Sequence, residues 1–174
     1  SAYDKGSIFL SQLQYVIGKE NFDNTLKRYF DDWSFKHPKP NDFIRSAEKV
    51  SGLELDWYLL DWAQSTMTID YSVNSLYGVD NKTRIVLKRI GQMGMPVDLR
   101  IKLKSGETLD YNIPMTKMRG SKPLQSSTLL KSWSWAKPYY EVWLDVDSKN
   151  ISKITIDPKN EMADINRDNN YLVL

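Results

Sequence analysis

Residues 97–113, VDLRIKLKSGETLDYNI, decide the fold class of the second half of this chain. Within Val97–Leu103 apolar and charged residues alternate strictly, which predicts a strand with one buried and one solvated face. The stretch KSGE at 104–107 is a hairpin turn signal, and the alternation resumes over Leu109–Ile113. The stretch therefore predicts two antiparallel strands joined by a tight turn.

Similar short alternating runs lie on both sides of this hairpin. Tyr140–Leu144 and Ile154–Ile156 are predicted strands, and Ile69–Val73 is expected to pair with Ile85–Leu87. Six or seven short strands with no helices between them predict an antiparallel β-sandwich. The long connection at 118–138, MRGSKPLQSSTLLKSWSWAKP, has no clear period and is expected to cross from one sheet to the other.

Before Thr66 the apolar residues follow the helical period instead. Apolar residues at i, i+4, i+7 and i+8 predict helices at 4–17, at 20–33, from Asn41 or Asp42 to a stop at Gly52, and at 55–64. The predicted fold class is α+β, with a helical segment at 1–66 followed by a β-sandwich domain at 67–174. The helical segment is either a small bundle by itself or the end of a larger helical domain.

Composition limits the classes of function. The 174 residues carry a net charge of +2, from 24 basic and 22 acidic side chains, which argues against a nucleic-acid partner. The sequence contains no cysteine, which excludes disulfides, thiolate catalysis and cysteine metal sites. No run of about 18 apolar residues is present, so no membrane-spanning segment is predicted.

The sequence holds no complete catalytic set. His37 is the only histidine and lies in a polar loop, so the chain cannot supply the two histidines of an HExxH zinc site. The pairs Asp31–Asp32 and Asp145/Asp147 have the residue type for glycoside hydrolysis or calcium binding. We interpret the first pair as solvated surface and the second as part of a turn.

Several short motifs, in conserved order and spacing, resemble one region of the aminopeptidase N-like zinc metallopeptidases, the gluzincins of peptidase family M1. In the helical half they are YDKG at Tyr3–Gly6, FLSQLQYVIGKENFDNTLKRYF at 9–30, PNDF at Pro40–Phe43 and SGLELDWYLLDWAQS at 51–65. In the second half, PVDLRIKLKSGE at 96–107 and IDPKNEMADINRDNN at 156–170 resemble the β-sandwich domain that follows the catalytic domain.

This resemblance implies that the chain is the C-terminal portion of a longer zinc aminopeptidase, cut after the zinc-binding motif. The HExxH motif, the third zinc ligand and the motif that holds the substrate amine would then precede Ser1. The longer protein would use zinc to remove N-terminal residues from peptides, whereas the isolated chain would bind no metal and be inactive. Its partners would be the peptide substrate and the rest of the catalytic domain.

Tyr3 is the one residue that matches a catalytic position of the family. There the tyrosine hydroxyl donates a hydrogen bond to the oxyanion of the tetrahedral intermediate, opposite zinc. The resemblance to bacterial members favours the periplasm or cell envelope as the compartment, with the cytoplasm as the alternative.

Two other classes of function stay open. In the first, the chain is a non-catalytic β-sandwich interaction module or scaffold, and exposed aromatics at Trp133, Trp135 and Trp143 bind a partner chain along a sheet edge. The alternation in WSWAKPYY also fits one packed face of a strand. The second alternative is a carbohydrate-binding sandwich, suggested by the aromatic residues alone.

Overall fold

The computed structural model describes the backbone of residues 2–174 and the side chains of residues 4–63 and 65–174. Its elements, in chain order, are α1 (Ala2–Ile17), α2 (Lys19–Trp33), α3 (Pro40–Ser51), α4 (Asp56–Gln64), β1 (Tyr71–Val79), β2 (Lys82–Arg89), β3 (Val97–Leu103), β4 (Thr108–Ile113), β5 (Thr128–Leu129), β6 (Tyr139–Leu144), β7 (Ile151–Ile156) and β8 (Tyr171–Val173). The α+β fold class predicted from the sequence is confirmed.

The four helices belong to one of two compact units. This helical unit comprises the chain up to Thr66 together with Thr116–Pro123. The side chain of Met118 is fully buried, and its carbonyl oxygen accepts a hydrogen bond of 3.0 Å from the backbone N–H of Glu54. The two compact units therefore do not correspond to a single division of the chain at residue 66.

Helix α1 changes character along its length. Leu13, Val16 and Ile17 are fully buried in its second half, whereas Ile8 and Leu10 are exposed in its first half. The helix is followed by Gly18, whose φ of 89° is a backbone conformation that favours glycine. Ile8 and Leu10 thus lack the cover that Leu13, Val16 and Ile17 receive.

Helix α3 begins and ends at recognisable signals. The backbone N–H of Lys39 donates a hydrogen bond of 2.7 Å to the carboxylate of Asp42, and Pro40 occupies the first turn. The helix therefore begins slightly before the predicted Asn41 or Asp42. It ends, as predicted, at Gly52, which has a left-handed φ of 72°.

The second compact unit, Met67–Met115 with Leu124–Leu174, contains the described strands in two sheets. One sheet has the order β1-β2-β6 and the other β5-β4-β3-β7-β8. The predicted pairing of the first two strands is present, with Val73 opposite Leu87. The described strand pairs are antiparallel with one exception, because β4 and β5 run parallel. The connection from β4 to β6 crosses between the sheets, as predicted.

Both sheets contribute side chains to the core of this unit, and β1 contacts β7 and β8. The fully buried or nearly fully buried residues include Ile85, Leu87, Val142, Leu99, Ile101, Ile154 and Ile156. Among the residues that the structure describes, no helix has the length and apolar character needed to cross a lipid bilayer.

Candidate functional site

Tyr3, the predicted catalytic residue, lies in the first turn of α1. Its side chain is outside the set of side chains that the structure describes, so its catalytic role stays a prediction. The geometry of the surrounding helices, by contrast, is described from Asp4 onward.

Helices α1 and α4 contact each other close to this first turn. The rings of Phe9 and Tyr58 lie 5.1 Å apart, and the Tyr58 hydroxyl donates a hydrogen bond to the carbonyl oxygen of Phe9. Burial raises the pKa of the Tyr58 hydroxyl, which therefore acts as a neutral hydrogen-bond donor. Exposed apolar side chains lie on both helices near this contact, namely Ile8, Leu10 and Leu60.

A shallow depression of about 500 Å³ lies beside α4, and its lining includes Trp57, Asp61, Lys117 and Arg119. Burial raises the pKa of the Asp61 carboxyl, and the nearby charge of Lys117 opposes that rise. The cations come from the segment after β4, so the sequence alone did not bring them to this helix. The lining also includes the hydroxyl of Thr116, but no hydrogen bond joins this hydroxyl to a base among the described residues, so the arrangement is not a catalytic set.

The histidine and the aspartate pairs considered from the sequence lie apart from one another or have other roles. His37 is exposed in the loop after α2, and among the described residues no group of three or more His, Cys, Asp or Glu side chains could hold a metal ion. Asp32 forms an exposed ion pair of 3.5 Å with Arg28. Asp147 accepts a hydrogen bond of 3.0 Å from the backbone N–H of Lys149, which gives it a role in a turn.

Trp133 is buried, in agreement with the packed-face interpretation of WSWAKPYY, and the alternative that it is an exposed binding residue is wrong. Its side chain is only 5% exposed and its ring lies 5.3 Å from that of Tyr71 and 5.2 Å from that of Tyr140. Its indole N–H donates a hydrogen bond of 2.7 Å to the carbonyl oxygen of Lys137. An indole held in this way belongs to the core, because its one polar group is satisfied internally.

The other two tryptophans are half-exposed, as the interaction hypothesis requires. Trp143 lies on β6 opposite Arg84, which in turn lies opposite Tyr77 on β1. The Arg84 guanidinium lies 5.4 Å from the Tyr77 ring and also bonds Glu141. The hydrogen bond from Arg84 holds the pKa of Glu141 below its usual value. This outer sheet face therefore combines aromatic rings with an internally paired cation.

Asp157, in the segment 156–170, has a structural role. Asp157 is buried and accepts hydrogen bonds of 2.9 Å from the backbone N–H groups of Glu161 and Met162. Arg167 donates to the same carboxylate at 3.1 Å. These bonds fold the segment back on itself, so the Asp157 carboxylate is hydrogen-bonded within the protein and is not part of an open site.

Comparison with known proteins supports the resemblance drawn from the sequence. Residues 1–62 match the peptidase family M1 domain. The chain is 31% identical over 83 residues to glutamyl aminopeptidase of Rattus norvegicus, an alignment that covers 48% of this chain and 8% of that relative.

A solved structure resembles more of the chain. The crystal structure of Legionella pneumophila aminopeptidase A in complex with aspartic acid matches with a TM-score of 0.55 and 17% sequence identity, over 89% of this chain and 16% of that one. At this identity the likeness is one of fold. The chain spans only a small part of either relative, and its resemblance to peptidase family M1 is confirmed.

Proposed function

We propose that this chain, which is related to the family M1 aminopeptidases, forms the C-terminal portion of a zinc-dependent aminopeptidase. Its helices would complete the catalytic domain and its strands would form the following β-sandwich. The longer protein, called the parent below, would remove N-terminal residues from peptides. The observation that carries this proposal is the match of residues 1–62, the helical segment, to the peptidase domain.

The described residues do not fit a zinc site. The single histidine is exposed in a loop, and the described acidic residues form no cluster with it. Zinc in the parent would therefore be bound by residues outside this chain. The family as a whole is zinc-dependent, and under this proposal the metal chemistry belongs to that other part of the polypeptide.

Exposed apolar side chains support the proposal that the helices are part of a larger domain. Ile8 and Leu10 are exposed on either side of Phe9, which packs on Tyr58. Exposed apolar side chains grouped in this way mark surfaces that are covered in an assembled protein. We expect the rest of the catalytic domain to cover the first half of α1 in the parent.

Tyr3 would be the contribution of this chain to catalysis. A hydroxyl group that is aimed in advance at developing negative charge stabilises the transition state more than the bound substrate. By comparison with other oxyanion donors, its loss would cost roughly 2.7–4 kcal/mol, or about 10²–10³-fold in kcat.

The test compares the isolated chain with the parent on an aminoacyl-p-nitroanilide, with zinc added to both. We expect turnover by the parent and none by the isolated chain. In the parent, Tyr3→Phe should lower kcat by about 10²–10³-fold with little change in KM. Tyr29→Phe, a conservative change on α2, is the matched control and should keep kcat. Turnover by the isolated chain, or a near-normal kcat for Tyr3→Phe, would overturn the proposal.

A second candidate function is a non-catalytic interaction module, favoured by the half-exposed rings of Trp135 and Trp143. Under this alternative, Trp135→Ser and Trp143→Ser would abolish binding of a partner chain while lowering the free energy of unfolding by no more than about 1 kcal/mol. A parent that binds zinc and yet shows no aminopeptidase turnover would favour this alternative over the first.

A further inference from the structure

The turn after α2 presents an aromatic side chain in an unusual way. Phe35 has a φ of 63° and a relative exposure of 108%. Bulky residues rarely adopt positive φ, and an apolar ring gains nothing from water. Two unfavourable features at one residue indicate that the side chain is positioned for a contact outside this chain.

Backbone hydrogen bonds define the turn. The N–H of Ser34 donates to the carbonyl oxygen of Phe30 at 3.0 Å, and the N–H of Lys36 donates to that of Trp33 at 3.0 Å. Because both bonds are within the turn and the last turn of α2, the turn does not require a partner to form. The backbone of the turn therefore places Phe35 at the surface without help from a partner.

Two further aromatic residues, Phe30 and Trp33, precede Phe35 by five and two positions in the sequence. Phe30 is 63% exposed on the last turns of α2, and the Lys36 ammonium lies 5.9 Å from the ring of the partly exposed Trp33. We call Phe30, Trp33 and Phe35 the aromatic ridge. Large aromatic side chains of this kind dominate the centres of protein interfaces.

The surroundings of the ridge decide between two kinds of partner. Trp33 also lines a depression of about 440 Å³, together with Asp31, Asp32, Arg45 and Lys49. The lining also includes Lys36 and Asp42, so its acids and bases are equal in number and carry no net positive charge to attract an anionic lipid surface. A protein surface that carries both signs of charge could complement the acids and the bases together. The mixed charges therefore favour a protein partner.

We infer that the aromatic ridge docks against a part of the same polypeptide that lies outside residues 1–174. This inference rests on the proposed function, because it takes the chain to be part of a longer aminopeptidase. The matches span 8% of one relative and 16% of another, so both of those proteins contain a large remainder outside the matched region, and a remainder of this kind is the occupant that we propose for the ridge.

Cysteine labelling tests this inference directly, because the chain itself contains no cysteine. Phe35→Cys should react with a maleimide as fast as a free thiol in the isolated chain and at least about 10-fold more slowly in a parent freed of other reactive cysteines. Asp80→Cys is the matched control, since Asp80 is also exposed in a turn with positive φ. The control should react quickly in both proteins.

A second variant measures the contact by stability. Asn tolerates positive φ, so Phe35→Asn should leave the melting temperature of the isolated chain unchanged or slightly raised. In the parent the same change should lower the melting temperature by at least about 2 °C, because a buried ring is lost.

Equal labelling of residue 35 in the isolated chain and the parent would overturn the inference. So would rapid labelling of the parent in solution with protection only on addition of phosphatidylcholine/phosphatidylserine vesicles, which would identify a lipid partner instead. A parent that protects residue 35 but has no aminopeptidase activity would contradict the proposed function and leave the docking contact in place. An active parent in which residue 35 is labelled rapidly would support the proposed function and overturn the docking contact.

Discussion

The backbone N–H of Tyr71 donates a hydrogen bond of 2.8 Å to a carboxylate oxygen of Asp164. The side-chain amide of Asn170 donates to the same oxygen at 2.9 Å and to the carbonyl oxygen of Tyr71 at 2.7 Å. These three residues tie the start of β1 to the segment before β8. The segment that resembles the end of family M1 sandwich domains thus has a clear structural purpose here.

Replacement of Asp164 should destabilise the β unit. Asp164→Ala removes a buried acceptor from the N–H groups of Tyr71 and Asn166 and from the Asn170 side chain, and each unsatisfied buried donor costs about 1–3 kcal/mol. Urea unfolding followed by tryptophan fluorescence would measure the loss. Asp168→Ala, at an exposed position in the same segment, should change the free energy of unfolding by less than about 0.5 kcal/mol. Similar losses in both variants would contradict the assigned role.

Replacement by alanine should lower the free energy of unfolding at one glycine and raise it at another. A Cβ on Gly91 would lie 2.3 Å from the backbone oxygen of Thr68 and 2.7 Å from the backbone nitrogen of Asp70. Since backbone must move to admit it, Gly91→Ala should cost about 1–3 kcal/mol. Around Gly6, no non-neighbouring atom of the described residues lies within 4 Å of such a Cβ. Gly6→Ala should therefore stabilise α1 by roughly 0.5–1 kcal/mol.

Calorimetric melting of both glycine variants would show these shifts in opposite directions. An increase in melting temperature for Gly91→Ala would mean that the close approach of the 68–70 backbone is not maintained in solution.

Trp133 and Trp135 should differ sharply in their effect on stability. Trp133→Ser removes a buried ring and the hydrogen bond to Lys137, and comparable aromatic deletions cost about 3–5 kcal/mol. Trp135→Ser removes a half-exposed ring that lies 5.7 Å from the Arg89 guanidinium, which is a contact worth about 0.5–1 kcal/mol. Chemical denaturation of the two variants side by side gives the comparison. Equal destabilisation would place both rings in the core.

Stability should fall at alkaline pH through Tyr71. Burial raises the pKa of its hydroxyl from 10.0 to about 12, with the hydrogen bond to Met95 acting in the opposite direction. The folded protein therefore keeps this proton above pH 10 while the unfolded chain releases it. The contribution is complete below pH 10 and is lost as the pH rises towards 12, by roughly 3 kcal/mol in all.

Urea unfolding at pH 9 and pH 11.5 would measure this effect. Tyr71→Phe lowers stability at both pH values, since Tyr71 bonds the backbone of Met95, but it should reduce the difference between them. Burial also raises the pKa of Tyr58, so a smaller pH dependence should remain. A pH dependence that is unchanged in Tyr71→Phe would show that the Tyr71 hydroxyl does not titrate in this range.

Local patterns predicted the elements well. The alternation over Val97–Leu103 predicted a strand with the bounds that the structure has, and the helical spacing placed α1, α2 and α4 to within a residue or two at each end. Helices and strands can be predicted in this way because their side chains return to the same face every 3.6 or every 2 residues, so a short stretch of sequence is enough to show which period is present. The ordered motifs of the first half likewise sufficed to identify the relationship to peptidase family M1.

Local patterns did not predict contacts between residues that are far apart in the sequence. Trp133 and Trp135 belong to the same alternating run, but the chain turns at residues 135–136, and of the two rings Trp133 is the one that packs on Tyr71 and Tyr140. Met118 lies in a stretch without periodicity, and its place against the helices follows from its bond to Glu54.

By itself, then, the sequence determined the helical and strand segments and the family relationship, because these are carried by short-range periodicity and by ordered motifs. The tertiary structure alone decided that Trp133 belongs to the core, that Asp164 holds β1, and that the ring of Phe35 is left in solvent on a strained turn. Burial and hydrogen bonding depend on which distant residues meet, and that is settled only when the whole chain has folded.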